Sequence, residues 1–394
     1  MGVPTGLLSP RLGVVPGRTL CLFDQVVVGH GRQSRSTPRG CDDWPLIDSD
    51  LLIALLDRHV EVARPAGSQF HAVLLPRMRD DAKAGGPIRA VLRGHERDQV
   101  AEWDAFRLLA GVHRIVLSGQ APNLERHYPS TGGDGDAEAA WPTVRELIAG
   151  GRAEVVDALA HPLQTNAPTR AKALVGALCL IAERTGLPLR LLELRASAGL
   201  NLRLDRFRYE QDGIALGPED SPVRFAHFLT GGRPPLATGF HVGERAGCDL
   251  NPIDATTEEG RLTLLACIFP DEHDRFDLLE RAIEVARETP APVERADLSA
   301  WVAERLAEPR PGIATVVYHT IVWPYLPDGV RDAADAAIAA AGERATDEAP
   351  LALLSFEGAR TDPSRTELQL TEWPGGRSRL LATSSHHPIS VNWL

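Results

Sequence analysis

The stretch LRLLELRASAGLNLRLDRFRYE, residues 189–210, carries the strongest fold signal in this chain. A mostly apolar run that contains Glu193 is followed by a turn of small residues, RASAG, and then by an amphipathic segment that begins at Leu200. This order is typical of a strand, a tight turn and a helix, the unit from which parallel sheets are built. Because ligands bind at the carboxyl ends of such strands, this turn is the first candidate for a ligand site.

After residue 188, apolar runs alternate with helical patterns, which indicates parallel βαβ units. The predicted strands cover residues 189–194, 241–249, 292–296, 313–322 and 351–356. The segments 366–376 and 377–393 then alternate about a turn and predict an antiparallel hairpin on the same sheet. We therefore predict an α/β domain over residues 186–394, with a mostly parallel sheet, a C-terminal hairpin and an insertion at about 202–240.

The segment 45–185 has helical spacing instead and predicts a helical region before the sheet. Apolar residues recur at helical spacing in the following stretches: 48–63, 100–119, and 141–160 with a break at Gly150–Gly151. The clearest helix covers 166–186, where Asn166 can cap the start, Pro168 occupies the first turn and Gly186 ends the helix. In residues 1–44 the apolar residues follow neither the helical nor the strand period, and we expect this segment to be disordered.

Composition limits the class of protein. The chain has 394 residues, 43% of them hydrophobic, and a formal net charge of −11, which argues against a broad nucleic-acid surface. Its longest apolar run, residues 173–182, has about half the length of a helix that spans a bilayer. Five cysteines without close pairs or metal-ligand spacing predict reduced thiols and no metal site. We expect a soluble cytoplasmic protein whose partner is a small-molecule ligand rather than nucleic acid or membrane.

The turn after the first predicted strand supplies candidate ligand contacts at Glu193, Arg195, Ser197, Gly199 and Asn201. Nucleotide loops of this kind commonly read acid-x-Gly-x-Gly-x-Gly, and only the last of the three glycine positions is glycine here. Backbone N–H groups at the start of the following helix attract polar or anionic ligand groups. The alternative is an ordinary strand–helix turn without a ligand.

Two later strands also end in acids. Asp249 closes the second predicted strand, with Asn251 beside it, at a place where a carboxylate can accept both hydroxyls of a ribose. Asp297 follows the third strand, where adenine-binding acids often lie. Each acid taken alone could equally be a helix cap or a loop residue.

The fourth predicted strand ends in a histidine and aromatic residues. His319 is a candidate general base there, and Trp323 and Tyr325 are candidates for the wall of a substrate pocket. The alternative is that the aromatic residues pack in the core and that His319 forms a structural hydrogen bond.

Ser197 supports a different hypothesis, a serine hydrolase. RASAG is one residue away from the G-x-S-x-G elbow and lies in the strand–turn–helix context that the elbow requires. Asp249 or Asp297, followed by His386 or His387, would complete the Ser, Asp, His order. Arg195 counts against it, because the elbow needs a small residue at that position.

Four segments of the chain resemble, in order, the bacterial domain-of-unknown-function 2332 family: LQTNAPTR (163–170), 193–210, GCDLNPID (247–254) and VVYHTIVWPYLP (316–327). The resemblance implies a Rossmann-like fold similar to class I S-adenosylmethionine-dependent methyltransferases. It places Glu193 and Gly199 on the cofactor loop, Asp249 on the ribose and Asp297 on the adenine side. The family pattern has glycine where this chain has Arg195.

Three hypotheses follow, of which a methyltransferase that uses S-adenosylmethionine is the first. The second is a non-catalytic module that binds an adenosyl ligand, and the third is the hydrolase. Arg195 bears on the first two, since a guanidinium about 6 Å from the cationic sulfonium would oppose binding by about 3 kcal/mol. That is roughly a hundredfold in affinity, unless the guanidinium pairs with the carboxylate of the cofactor.

Overall fold

The structure is a computed structural model, and it describes residues 49–63, 67–95, 103–160, 163–359, 361–362 and 365–394. The predicted disorder of residues 1–44 lies outside these ranges. Among the described helices, none combines the length and the apolar character that crossing a bilayer requires.

Helices form the part of the described chain that precedes the first strand. They are α1 (Ser49–Ala63), α2 (Gln69–Lys83), α3 (Pro87–Leu92), α4 (Asp104–Leu117), α5 (Pro122–Glu125), α6 (Ala137–Ala149), α7 (Ala153–Ala160) and α8 (Ala171–Thr185). Helices α1 to α7 enclose one apolar core around Phe70, Met78 and Phe106. The helical region predicted from the sequence is therefore confirmed, including the break at Gly150–Gly151 between α6 and α7.

The start of α8 differs from the prediction. The α-helix begins at Ala171 after a 3-10 turn, Pro168–Arg170, and the side chain of Asn166 does not cap it. Asn166 Oδ1 instead accepts a hydrogen bond from the backbone N–H of Leu200, 2.8 Å away. The predicted end is confirmed, because Gly186 adopts a left-handed φ of 64° and its N–H bonds to the carbonyl of Ala182.

A nine-stranded sheet follows, together with a three-stranded one. The strands are β1 (Leu189–Leu194), β2 (Arg208–Gln211), β3 (Ile214–Leu216), β4 (Arg224–Ala226), β5 (Leu229–Gly231), β6 (Val242–Asp249), β7 (Val293–Arg295), β8 (Ala314–Thr320), β9 (Leu351–Gly358), β10 (Thr366–Trp373), β11 (Arg377–Ser384) and β12 (Val391–Trp393). The order of the large sheet is β5-β12-β11-β10-β9-β8-β1-β6-β7. Strands β7, β6, β1, β8 and β9 are parallel, whereas β10 and β11 form the predicted antiparallel hairpin beside β9.

The remaining helices are α9 (Glu258–Ala266), α10 (His273–Glu288), α11 (Leu298–Arg305) and α12 (Asp328–Glu343). One face of the sheet packs against α8 and α10, and the other packs against α11 and α12. All six residues of β1 are buried for this reason, as expected for a parallel strand covered on both faces.

The connection from β1 to β6 departs from a simple βαβ unit. The helix predicted to begin at Leu200 is a short 3-10 segment, Leu200–Arg206, with a kink at Arg203. The chain then forms the small sheet β3-β2-β4, and β5 joins the edge of the large sheet beside β12. The extra residues between β1 and β6 thus build strands rather than a long crossover helix.

Candidate ligand site at the carboxyl edge of the sheet

The direction of strand order reverses at β1. From β1 the chain proceeds to β6 and β7 on one side, and it then crosses to β8 and β9 on the other. In open parallel sheets, this reversal creates a crevice outside the carboxyl ends of the strands, and ligands bind there. The turns after β1, β6 and β8 border this crevice.

The turn after β1 has an unusual backbone. Arg195, Ser197 and Gly199 have φ values of 57°, 54° and 64°, so alternate residues are left-handed. These are the three positions that the nucleotide-loop pattern reserves for glycine, and a non-glycine residue costs about 1–2 kcal/mol at each. Only position 199 also lacks room for a side chain, because a Cβ there would lie 2.8 Å from Val293 Cγ2. The N–H groups of the turn already bond within the chain, as that of Gly199 does to the carbonyl of Ala196.

Arg195 is partly exposed at this turn. Within the described part of the chain, its guanidinium has no hydrogen bond or ion pair, although its charge acts on the nearby Cys248 thiol. The crevice is therefore not closed by an ion pair of Arg195 with a described carboxylate.

Glu193 lies below the turn, on the face of the sheet that packs against α8. It is 2% exposed, and the hydroxyl of Tyr318 donates to its Oε2 across 3.3 Å. Burial raises the pKa of Glu193 to about 8, with a further contribution from Asp249, while Tyr318, Arg170 and Arg203 oppose the rise. Glu193 is consequently mostly protonated at neutral pH and acts as a neutral hydrogen-bonding group.

Asp249 joins the turns after β1 and β6. Its Oδ2 accepts the backbone N–H of Ser197 at 3.0 Å, and its Oδ1 accepts that of Asn251 at 2.9 Å. Each carboxylate oxygen has a second lone pair that these bonds do not use. The next residue, Leu250, is 50% exposed. Asn251 is itself fixed by Arg295, whose Nη1 donates to Asn251 Oδ1 at 2.9 Å.

Asp297 is the N-cap of α11. Its Oδ1 accepts the N–H groups of Ser299 and Ala300 at 3.0 and 3.1 Å and the hydroxyl of Ser299 at 2.5 Å. These bonds lower the pKa of Asp297, which is exposed and carries a negative charge. The contacts match the helix-cap alternative, but they use only one of the two carboxylate oxygens.

The contacts of Ser197 bear on the hydrolase hypothesis, and those of Asn201 show how the start of the 3-10 segment is held. Ser197 Oγ donates to Gln164 Oε1 at 2.5 Å, and no described histidine bonds to it. Asn201 is fully buried, and its Nδ2 donates to the carbonyl of Ala167 at 3.3 Å. Its Oδ1 is buried and has no hydrogen-bond partner among the described residues.

Residues 163–167, which we name the strap, cover the turn after β1. Gln164 accepts from Ser197 and, through Nε2, donates to the carbonyl of Asn251 at 2.7 Å, so one side chain bridges the turns after β1 and β6. Asn166 accepts the N–H of Leu200. Sequence reasoning assigned no site role to Gln164 and treated Asn166 as a helix cap. The available signal was the family resemblance of the segment 163–170, which contains both residues.

His319 lies on the other face of the sheet. Glu193 pairs in register with Tyr318, so the adjacent His319 projects oppositely, toward α12. Its Nδ1 is 2.7 Å from Glu357 Oε1, and its ring stacks on Trp323 at a centroid distance of 3.8 Å. His319 is 2% exposed, whereas Tyr325 is 44% exposed. The structure therefore brings His319 and Trp323 together but separates His319 from Glu193.

Sequence comparison identifies the family. The model of a family described as an uncharacterized protein conserved in bacteria, DUF2332, matches residues 54–393. This chain belongs to the DUF2332 family. Comparison of the DUF2332 chain with curated proteins and with solved structures found no match in either set.

The four segments that carry the family resemblance meet at one edge of the DUF2332 sheet. Residues 163–170 include the strap, 193–210 include the turn after β1, 247–254 contain Asp249 and its turn, and 316–327 end β8. The first three of these segments are joined by the hydrogen bonds of Gln164 and Asp249. The carboxyl edge is therefore the common location of the segments in which the family resemblance was found.

Proposed function

We propose that this DUF2332 protein binds an adenosyl ligand of the S-adenosylmethionine type at the carboxyl ends of β1 and β6. The observation that carries the proposal is the alternation of left-handed residues at Arg195, Ser197 and Gly199, directly at the reversal of strand order. Two of them are not glycine, and backbone strain of this kind is concentrated at ligand sites. Asp249, bonded to the same turn, supports it.

The residues of the crevice fit the parts of such a ligand. Asp249 keeps a lone pair on each oxygen for the two ribose hydroxyls. Leu250, half exposed beside it, provides an apolar surface for the base. Asp297 keeps one carboxylate oxygen for an exocyclic amino group. Arg195 supplies a cation for the ligand carboxylate.

Arg195 also sets a preference between related ligands. S-Adenosylhomocysteine has the same carboxylate as S-adenosylmethionine, but its sulfur is neutral. A guanidinium about 6 Å from the sulfur would therefore disfavour only the sulfonium form, by at most about 3 kcal/mol, since pairing with the carboxylate reduces its effect. We expect the homocysteine form to bind more tightly, by a factor of up to about a hundred. This preference favours a module that senses or stores the ligand over a rapid methyltransferase.

A methyltransferase is the second candidate, and the His319–Glu357 pair favours it. When bound, S-adenosylmethionine supplies an electrophilic methyl group, and the protein has to orient and deprotonate an acceptor. Glu357 accepts from Nδ1 of His319 if that nitrogen carries the proton, and this leaves Nε2 as the basic atom. Tyr325 is the exposed residue of the same segment and is our candidate for contact with the acceptor. Because His319 is buried under Trp323, its use as a base requires Trp323 to move.

Calorimetric titration of the full chain with S-adenosylhomocysteine tests the proposal. Asp249→Asn should weaken binding by about tenfold to a hundredfold, the range expected for loss of hydrogen bonds to a charged acceptor. Asp277→Asn, at an exposed position of α10, is the matched control and should bind like the wild type. Unchanged affinity in an Asp249→Asn variant that melts normally would remove Asp249 from the site.

A further inference from the structure

The strap bridges the two turns between which the proposed ligand would lie. Gln164 stands between the turns after β1 and β6, with one amide atom bonded to Ser197 Oγ and the other to the carbonyl of Asn251. An adenosyl ligand whose ribose reaches Asp249 has to pass between the same two turns, because Asp249 is bonded to the backbone of both. The Gln164 side chain and the ligand therefore cannot hold these positions together.

Two further contacts close the strap over the turn. Asn166 Oδ1 accepts a hydrogen bond from the N–H of Leu200 at the start of the 3-10 segment. A polar group of a ligand would otherwise be able to accept from this N–H. The carbonyl of Ala167 holds the side chain of Asn201. Together with Gln164, these residues satisfy polar groups of the turn by contacts within the chain.

In the closed arrangement, a buried polar atom beneath the strap nevertheless has no hydrogen-bond partner in the described part of the chain. Asn201 is fully buried, and its Oδ1 bonds to no described residue while its amide nitrogen is held by the strap. An unpartnered buried oxygen destabilises the state that contains it. The strap residues also lack regular secondary structure, so the strap can leave the turn without unwinding α7 or α8.

We propose that the strap is an intramolecular competitor of the ligand, which must leave the turn after β1 before an adenosyl ligand can bind. This inference rests on the proposed function, since it concerns regulation of the same site. The apparent affinity of the protein is then the intrinsic affinity reduced by the fraction of molecules in which the strap is open. Any substitution that weakens closure without touching the ligand should raise the apparent affinity.

Gln164→Ala tests the inference in the full-length chain, with Gln369→Ala, exposed on β10, as the matched control. Two readouts are needed: amide hydrogen exchange of residues 163–201 without ligand, followed by mass spectrometry, and calorimetric titration with S-adenosylhomocysteine. We expect Gln164→Ala to exchange faster in the strap and to bind about tenfold more tightly, as the loss of two neutral hydrogen bonds implies. Asn166→Ala should act in the same direction.

The outcomes separate the inference from the proposed function. Weaker binding in Gln164→Ala would make Gln164 a ligand contact and overturn competition by the strap. Unchanged affinity despite faster exchange would also overturn it and would leave the proposed function standing. If neither the wild type nor the variant with faster exchange binds the ligand, the site has no adenosyl ligand to exclude, and both proposals fall.

Discussion

Replacing Glu193 by glutamine should stabilise the protein, and increasingly so as the pH rises. Glu193 is buried, and its pKa is raised to about 8 in the folded chain from an ordinary value of 4.5. Because the folded state retains a proton that the unfolded chain loses above pH 4.5, the free energy of unfolding falls through the window from pH 4.5 to 8. The slope is about 1.4 kcal/mol per pH unit, and the whole window amounts to roughly 5 kcal/mol.

Glutamine remains neutral across this range and can still accept from the hydroxyl of Tyr318 through its carbonyl oxygen. The difference in free energy of unfolding between the variant and the wild type should therefore grow by about 3 kcal/mol from pH 5.5 to pH 7.5. Urea denaturation at pH 5.5, 6.5 and 7.5 measures the difference, and Glu288→Gln at the exposed end of α10 is the control. A difference that stays constant over these three pH values would show that Glu193 ionises normally and would refute the reasoning.

Three other outcomes follow from the structure. Burial holds the pKa of His71 to about 4 and that of His113 to about 3, so the unfolded chain takes up these protons first as the pH falls below 6.5. Each histidine should lower the free energy of unfolding by about 2 kcal/mol between pH 6.5 and 5. Urea titration of Glu193→Gln, which lacks the opposing change at Glu193, measures this effect, and a flat profile of that variant would contradict it. Arg195→Gly should relieve left-handed strain and raise stability by about 1–2 kcal/mol, whereas a loss in the same assay would show that the side chain stabilises the fold. Gly342→Ala should lower Tm, because its Cβ would lie 2.5 Å from the ring of Trp373 and overpacking costs about 1–3 kcal/mol; a normal Tm would count against this packing.

The parallel strands could be predicted because their apolar runs are long and bounded by glycine, proline or acidic residues. The predicted strand 189–194 agrees with β1 in full, and the C-terminal hairpin forms where alternation predicted it. The start of α8 could not be predicted in the same way. Asn166 is a good N-cap by local rules, but the backbone N–H of Leu200 competes for the same side chain. A contact between residues that are 34 positions apart has no local pattern.

The candidate site was predicted only in part for a different reason. That Glu193 and His319 both follow apolar runs indicates only that they lie at the carboxyl ends of strands, whereas the register of β1 against β8 decides which face each side chain occupies. Glu193 is opposite Tyr318, so the next residue, His319, projects to the other face and meets Glu357. The alternation Tyr-His at the end of β8 contained this information, because successive side chains of a strand point to opposite faces.

The strain in the turn after β1 links the fold to the site. Arg195 and Ser197 each hold a left-handed conformation that costs about 1–2 kcal/mol, and glycine at either position would remove that cost without changing the path of the chain. Local folding preferences therefore do not explain these residues, and the turn depends on contacts from elsewhere. Asp249 fixes the backbone of Ser197, and the strap holds its hydroxyl through Gln164. A ligand that displaces Gln164 must replace that contact, so the turn can keep its strained shape in the bound state only if the ligand itself bonds to Ser197 or to its neighbours. For the adenosyl proposal, it follows that Ser197→Ala should weaken ligand binding less in the wild-type background than in Gln164→Ala, because in the wild type the loss of the ligand contact is partly offset by the loss of the bond that closes the strap.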